Sequence, residues 1–349
     1  RGFDVDSAYM FCRNALLHKS LLPWTRQPLT DLDMFYHDSL YFPALNPGES
    51  ETCPFVDPSE RRQAVAVTLG HSYDSWCLSE LASETGHKED IDLFRRYASA
   101  YKNLFNNGTG FFHPKNSDGK FIEPFDYRFS GGMGARDYYD ENNGWTYRWN
   151  CQHDIPGLIN LMGGEEKFAE DLDATFREPL GLSKYEFYSK LPDQTGNVGQ
   201  FSMANEPSLH IPYLYDYCGQ PWKTQKRIRT LLSQWFRNDL MGVPGDEDGG
   251  GMSAFVVFSM MGFYPVTPGI PEYAIGSPVF ERIVIHLENG KTFEVIAKNN
   301  SAENIYIRSA ALDGRKLERP FISHEEIMSG GTMVLEMDNR PNLSWGSEK

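Results

Sequence analysis

The sequence predicts a mainly α-helical chain with a β module at its C-terminal end, and three observations predict it. From about residue 60 to 265 apolar residues recur at helical spacing. Beyond Pro265 they alternate with polar residues between short turns instead, which is the strand pattern. Aromatic residues make up 14% of the 349 residues, with 23 Phe, 18 Tyr and 7 Trp, a core-forming composition that excludes a disordered chain. At one domain per roughly 150 residues, two domains are expected. The change of texture between Pro265 and Pro271 divides them into a helical layer, 1–265, and a β-rich module, 266–349.

Taken in order, the first helical stripe runs through Tyr73, Trp76, Cys77 and Leu81, and Gly86 separates it from a second through Phe94, Tyr97, Ala98, Tyr101, Leu104 and Phe105. The segment from Asn106 to Gly144 is rich in Gly, Asn and Asp with Phe and Tyr interleaved, and a loop that long within a domain points to a site. Later stripes pass through Phe168 and Leu172, through Ile211 to Tyr217, through Ile228, Leu231, Leu232 and Trp235, and through Phe255 to Met261, the last apolar enough to be buried. The runs 281–287, 291–297, 304–308 and 332–337 read as antiparallel strands, punctuated by turns at Glu288-Asn289-Gly290 and Asp313-Gly314.

The net charge of −15 carries no basic cluster, so a phosphate backbone would be repelled and nucleic acid is not an expected partner. An acidic, aromatic-rich surface suits neutral polyhydroxylated ligands and hard cations. The five cysteines, Cys12, Cys53, Cys77, Cys151 and Cys218, form no C-x-x-C and read as buried small hydrophobes. No apolar stretch reaches the length of a membrane span, and the opening residues carry no signal-peptide hydrophobic region. Sequons at Asn107, Asn299 and Asn342 are about as frequent as chance gives.

Three segments could carry chemistry. Asp246 and Asp248 lie two apart in a Gly-rich turn that leads straight into the apolar helix, so two carboxylates stand at a rigid helix mouth. A solvated acidic loop with one helix-capping Asp is the alternative. An EF-hand is excluded, because its fifth and twelfth ligand positions would be Gly250 and Val257. Glu141 shares a short segment with Trp145, Tyr147, Trp149 and His153, surroundings that raise a carboxyl pKa as a general acid requires. Read locally, a solvated loop acid followed by a His153-Asp154 helix cap fits as well. Asn205 and Glu206, just before Pro207, offer oxygen ligands of the kind Ca²⁺ takes, and a helix start explains them equally. Nucleophile-elbow, Walker and zincin templates find no match. Two carboxyl stations with an oxygen-rich one between them in sequence are the minimal equipment for glycoside hydrolysis.

Six ordered segments carry a resemblance: TLGHSYDSWCLSELA (68–82), 101–126, ENNGWTYRWNCQHDIPGLINLMGG (141–164), NEPSLHIPYLYDYCGQPWKTQ (205–225), PGDEDGGGMSAFVVFSMMGFYPVTPGIPEYAIGSP (244–278) and KNNSAENIYI (298–307). Together they resemble glycoside hydrolase family 92, the calcium-dependent exo-α-mannosidases that invert anomeric configuration, from about residue 60 nearly to the C-terminus. The resemblance implies a partial (α/α)₆ toroid followed by the β domain, with a large N-terminal β-sandwich and the first barrel helices lying outside this chain. It implies Glu141 as general acid, Asp246 and Asp248 as general base, and Ca²⁺ held by Asn205, Glu206 and Asp248. Asp74, Trp76, Trp145, His153, Asp154 and His210 would bind the sugar, a terminal α-mannose of a glycan, and the location would be extracellular, periplasmic or cell-surface. Where the family has His-Gly and a second His around Asn-Glu-Pro, this chain has Met203-Ala204 and Leu209, which bears on linkage preference. Glu141 argues against the mannosyl-phosphodiester hydrolases of the family, whose good leaving group needs no acid. A calcium-dependent carbohydrate-binding protein and an inverting glucosidase on a similar toroid are the competing expectations.

Overall fold

The computed structural model of the chain describes residues 2–19, 31–49, 63–130, 137–245 and 247–347, so Cys53 and Asp246 lie outside the described residues. The helices begin with α1 (Val5–His18), α2 (Asp31–Ser39), α3 (Ala64–Thr85), α4 (Lys88–Ala98) and α5 (Gly144–Tyr147). They continue with α6 (Ile155–Leu161), α7 (Glu165–Thr175), α8 (Lys184–Lys190), α9 (Pro221–Trp235), α10 (Gly251–Met261) and α11 (His324–Met328). By packing the chain divides into two compact units, Arg1–Asp154 with Leu180–Pro192, and Ile155–Pro179 with Asp193–Lys349.

In the first unit α3 is built to be approached closely. Its buried positions include Thr68, Ser72, Ser75 and Ser79 beside Ala64, Val65, Leu69, Leu78 and Ala82. The hydroxyls of Thr68 and Ser72 bond back to the carbonyls of Ala64 and Thr68 at 2.7 and 2.8 Å, which lets these two be buried without an unmet donor. Each hydroxyl also accepts from a neighbouring segment, Thr68 from Phe42 N–H at 2.9 Å and Ser72 from Tyr101 N–H at 3.0 Å. Gly86, at φ +87, ends α3 where the sequence placed the break, since a residue with a Cβ would be strained there. The second stripe holds its helix only to Ala98, and Ala100–Leu104 tightens into a 3₁₀ turn, drawn by the bond of Tyr101 N–H to Ser72. Helices α1 and α2 were not anticipated. Their stripes are short, Tyr9 and Leu16 being the buried residues of α1, and the one local signal is Asp4, whose carboxylate caps α1 by accepting from Asp6 and Ser7 N–H.

The loop from Asn106 to Gly144 starts as a tight hairpin of β1 (Phe105–Asn106) and β2 (Phe111–Phe112), then packs on its own aromatic side chains. The His113 imidazole donates through Nε2 to Ile122 O at 2.7 Å, and Nδ1 accepts from the Tyr127 hydroxyl at 2.9 Å. Phe111 stacks on Tyr127 at 4.1 Å between ring centroids. These contacts tie together the described part of the loop around residues 111–127.

In the second unit, hairpin β3 (Asn197–Val198) and β4 (Phe201–Ser202) leads into a buried 3₁₀ helix, Ile211–Cys218, where the sequence showed a helical stripe. Asp173 on α7 gathers Tyr215 Oη at 2.9 Å and Lys223 Nζ at 2.6 Å, tying that helix and α9 together. Helix α10 buries Met252, Phe255 and Ser259 only, and Val257 stays 55% exposed, so the expectation of a buried helix holds on one face and fails on the other. Apolar residues stand on every face of that helix, and sequence pattern cannot tell which faces find a neighbour.

The β region follows. Strands β5 (Phe263–Tyr264), β6 (Glu272–Ile275) and β11 (Phe321–Ser323) form one sheet in the order β11-β6-β5. Strands β7 (Arg282–His286), β8 (Thr292–Lys298), β9 (Tyr306–Leu312), β10 (Arg315–Leu317) and β12 (Gly331–Asp338) form the other in the order β10-β9-β12-β8-β7. The four runs read as strands are β7, β8, β9 and β12, and alternate residues of β8 and β12 face a core of Phe293, Val295, Ala297, Met333, Leu335 and Met337. Asp313 and Gly314 turn β9 into β10 with φ +49 and +76, the left-handed pair a two-residue hairpin demands. One pair departs from the antiparallel expectation: β12 runs parallel to β8, which is possible because β9, β10, β11 and α11 supply the crossover between them. The cysteine reading also needs correction. Cys151 and Cys218 are buried and Cys77 is half-buried, but Cys12 on α1 is exposed.

Candidate functional site

In the first unit the site is built around Glu141. Its backbone sits at φ +63, a left-handed conformation uncommon for a residue with a Cβ. The following Asn-Asn-Gly explains how that is held. Asn143 accepts from Trp145 N–H at 3.1 Å and so caps α5, Asn142 Oδ1 accepts from the Thr146 hydroxyl at 3.3 Å, and both side chains are buried. Gly144 is pressed so closely that a Cβ there would stand 2.8 Å from Tyr139 Oη and 3.0 Å from the Tyr127 ring. Glu141 itself is half-buried. Tyr147 donates to Asp140 O at 2.8 Å, and its hydroxyl is held well above the usual tyrosine range by burial first and by the charges of Asp140 and Glu141 after it. Trp145 is half-buried, edge-on to Phe111 at 5.0 Å, whereas Trp149 is a core residue.

A second group of the same unit forms where the 3₁₀ turn Gln152–Asp154 meets α3. The His153 ring lies among Tyr101 at 5.5 Å, Tyr73 at 5.9 Å and Trp76 at 6.4 Å. Its Nε2 donates to Ala98 O at 2.9 Å, which leaves the lone pair on Nδ1, and burial pushes its pKa down, which favours the neutral ring. Asp154 accepts the Tyr101 hydroxyl at 2.6 Å, with Lys102 Nζ at 3.7 Å. Asp74 is exposed, yet desolvation holds its carboxyl above the ordinary range. Neutral imidazole, flat rings and carboxylates in this combination are chemistry for a polyol.

The second unit holds the oxygen-rich station and the acidic turn, 40 residues apart in sequence and in contact in space. Asn205 is extended at φ −142 and starts the 3₁₀ turn Glu206–Ser208, Pro207 fixing its first step. A Cβ on Gly245 would stand 2.4 Å from Ala204 Cβ, and one on Gly251 would stand 3.3 Å from Glu206 Cγ, so the acidic turn is clasped against Ala204 at one end and Glu206 at the other. Asp248, between them, is exposed and sits at φ +41. Asp246 lies outside the described residues. His210 is 3% exposed, and Met203, Ala204 and Leu209, the departures from the family pattern, are all buried.

As a cation site the donors fit by type: Asn205, Glu206 and Asp248 present only oxygen, as Ca²⁺ prefers, with Asn205 buried and Glu206 half-buried beside the turn. Among the described residues no three His, Cys, Asp or Glu side chains converge into a metal-holding group, so amide and main-chain oxygens would have to complete the shell. Sequence reasoning missed Tyr73, Tyr101 and the two asparagines after Glu141. The tyrosines read as stripe residues, and only the Asn-Gly pair carried a turn signal.

Comparison with known proteins agrees with this picture. Residues 1–339 match the glycosyl hydrolase family 92 catalytic domain, which extends the resemblance from residue 60 back to the first residue. An uncharacterized secreted glycosidase of Arthroderma benhamiae is 31% identical over 309 residues, covering 82% of this chain and 37% of that protein. A family GH92 α-mannosidase of Bacteroides thetaiotaomicron, solved with mannoimidazole, superposes with a TM-score of 0.85 at 28% identity, over 100% of this chain and 42% of that one. A family GH92 inverting mannosidase of the same bacterium superposes with a TM-score of 0.82 at 33% identity, over 100% of this chain and 45% of that one. The chain thus spans less than half the length of each of these proteins, and its helical-toroid and β-domain fold class is theirs. With the family's catalytic-domain pattern running through both carboxyl stations and nearly the whole chain, this protein belongs to glycosyl hydrolase family 92.

Proposed function

We propose that the chain is the catalytic part of an exo-α-mannosidase that removes terminal mannose from α-mannosides such as N-glycans or mannans, with inversion. The observation that carries this reading is shared by the two stations: Glu141 at φ +63 and Asp248 at φ +41 are carboxylates held in left-handed backbone. That conformation costs about 1–2 kcal/mol per residue, and such strain gathers at functional sites. Among the described residues Leu40 and Gln63 share the conformation next to the end of α2 and the start of α3, and Asn299 and Asp313 share it in turns of the β region, where it serves the path of the chain.

In this reading Glu141 hands its proton to the departing glycosidic oxygen, so that the leaving group departs as an alcohol. Asp246 or Asp248 takes a proton from the attacking water on the other face of the sugar ring. Trp145 and Tyr147 keep the acid's surroundings apolar, and the neutral His153 with Asp74 and Asp154 binds sugar hydroxyls. Ca²⁺, held by Asn205, Glu206 and Asp248, would supply positive charge to two adjacent mannose hydroxyls and favour a flattened ring. The compartment that suits such substrates is outside the cytoplasm, in keeping with the secreted fungal relative. No helix among the described residues is long and apolar enough to cross a membrane.

Incubation with an aryl α-mannoside tests the reading. Release of the aryl alcohol together with mannose is expected. Binding of mannose without release would favour a carbohydrate-binding protein instead.

A further inference from the structure

Between Asp246 and Asp248 stands a third carboxylate, Glu247, to which the sequence analysis assigned no task. Its surroundings assign one. The Glu247 carbonyl accepts the N–H groups of Gly250 and Gly251, both at 3.1 Å. Its carboxylate reaches six residues forward and accepts Ser253 N–H, at 3.1 Å to Oε2 and 3.4 Å to Oε1. Ser253 belongs to the first turn of α10, whose N–H groups have no intrahelical acceptor, and no side chain of the capping residue Gly250 can serve them. One residue thus closes a loop of main chain from 247 to 253.

Two features depend on that loop. Asp248 lies inside it, and its left-handed backbone at φ +41 is a conformation the free chain would leave. Gly251 lies at its far end, where a Cβ would come within 3.3 Å of Glu206 Cγ and 3.6 Å of Oε1. Moving the start of α10 therefore moves both the direction of Asp248 and the wall against which Glu206 rests.

Resting on the glycosidase reading above, we propose that Glu247 is a positioning residue for the reaction. As a fixed acceptor it clasps the acidic turn to α10 and so sets the places of Asp248 and Glu206, and it neither gives nor takes a proton during turnover. The geometry separates the three acidic residues by length. A glutamate can reach forward to Ser253 across the turn, and an aspartate at the same position is one methylene short of that bond.

The test compares Glu247→Gln with Glu247→Ala. Glutamine keeps an acceptor oxygen for Ser253 N–H, and alanine keeps none. The alanine variant is expected to lose about tenfold or more in kcat on an aryl α-mannoside, the kinetic equivalent of about one lost cap bond. Its KM should change far less, and the glutamine variant should retain most of the activity with both limbs of its pH–rate profile in place. Equal losses in the two variants, with a limb of the profile gone, would make Glu247 an acid or base and overturn the proposal. So would an alanine variant with unchanged kcat. Amide hydrogen exchange at Ser253 is read in parallel and needs no substrate: it should quicken about tenfold in the alanine variant and hold near the parent rate in the glutamine one. Equal exchange in all three proteins overturns the clasp itself. Inactivity of the parent protein toward every α-mannoside, with the exchange pattern as expected, overturns the mannosidase reading and the catalytic part of this proposal while leaving the clasp standing.

Discussion

Gly245 lies so close to Ala204 that a Cβ added to it would stand 2.4 Å from Ala204 Cβ and 2.7 Å from the Ala204 carbonyl oxygen. That approach fastens the acidic turn to the Asn-Glu-Pro segment. Gly245→Ala is expected to cost about 1–3 kcal/mol, the range for overpacking a fitted contact, and to lower activity more steeply than folded fraction, because the turn carrying Asp248 is displaced. Removing the partner methyl in a Gly245→Ala/Ala204→Gly double variant should restore only part of the loss, since backbone atoms of residue 204 remain in the way. Urea denaturation of the parent, both single variants (Gly245→Ala and Ala204→Gly) and the double variant measures it, and full recovery in the double variant would refute a backbone clash.

Glu141→Gln keeps the shape of the side chain and removes its proton. Loss is expected to be large, about 10²–10⁴-fold, on mannosides with basic leaving groups, and slight on activated aryl mannosides whose leaving group departs unaided. Glu141→Gly should be as inactive on the former, yet lose little stability, because glycine occupies φ +63 without strain. Steady-state kinetics on a leaving-group series, with melting curves beside it, checks both, and equal losses across the series count against the acid.

For the cation, dialysis against a chelator should abolish turnover and leave thermal unfolding little changed, and Ca²⁺ should restore activity better than Zn²⁺, since Asn205, Glu206 and Asp248 offer oxygen alone. Full activity in excess chelator would remove the metal from the mechanism. In the calcium-loaded enzyme the first-formed sugar followed by NMR should be β-mannose, and initial release of the α-anomer rules out inversion.

Acid sensitivity follows from two desolvated histidines, half-buried His71 and buried His113. Burial holds His71 down at about 4, and His113 below its ordinary value. A folded pKa below the unfolded one of about 6.5 means that the unfolded state binds the extra proton. The stability is then fully present above about pH 6.5 and drains away as pH falls toward the folded value of His71, about 4. For His71 the loss across that window is on the order of 3 kcal/mol. Denaturation at successive pH values should show it, and His71→Phe should flatten the slope. An unaltered slope in that variant would clear His71 of the effect.

Much of the architecture was legible because it rests on local rules. The stripe of Tyr73, Trp76 and Leu81 became α3, Gly86 ended it because the cap needs left-handed backbone, and Asp313-Gly314 turned β9 into β10 for the same reason. The residue types at Glu141, Asn205, Glu206 and Asp248 marked them as candidates before any fold was known. What only tertiary structure decided was which of those residues meet. Nothing within five residues of Asn205 says that Gly245 and Gly251 will press on Ala204 and Glu206, because that contact is set by packing of segments 40 residues apart. The parallel pairing of β12 with β8 required the crossover through β9, β10, β11 and α11, which no strand carries in its own pattern. Tyr101 shows both levels in one residue: its spacing placed it on a helical stripe, and only the fold turned its hydroxyl toward Asp154 and its ring toward His153, since side-chain direction across elements is fixed by what packs against them.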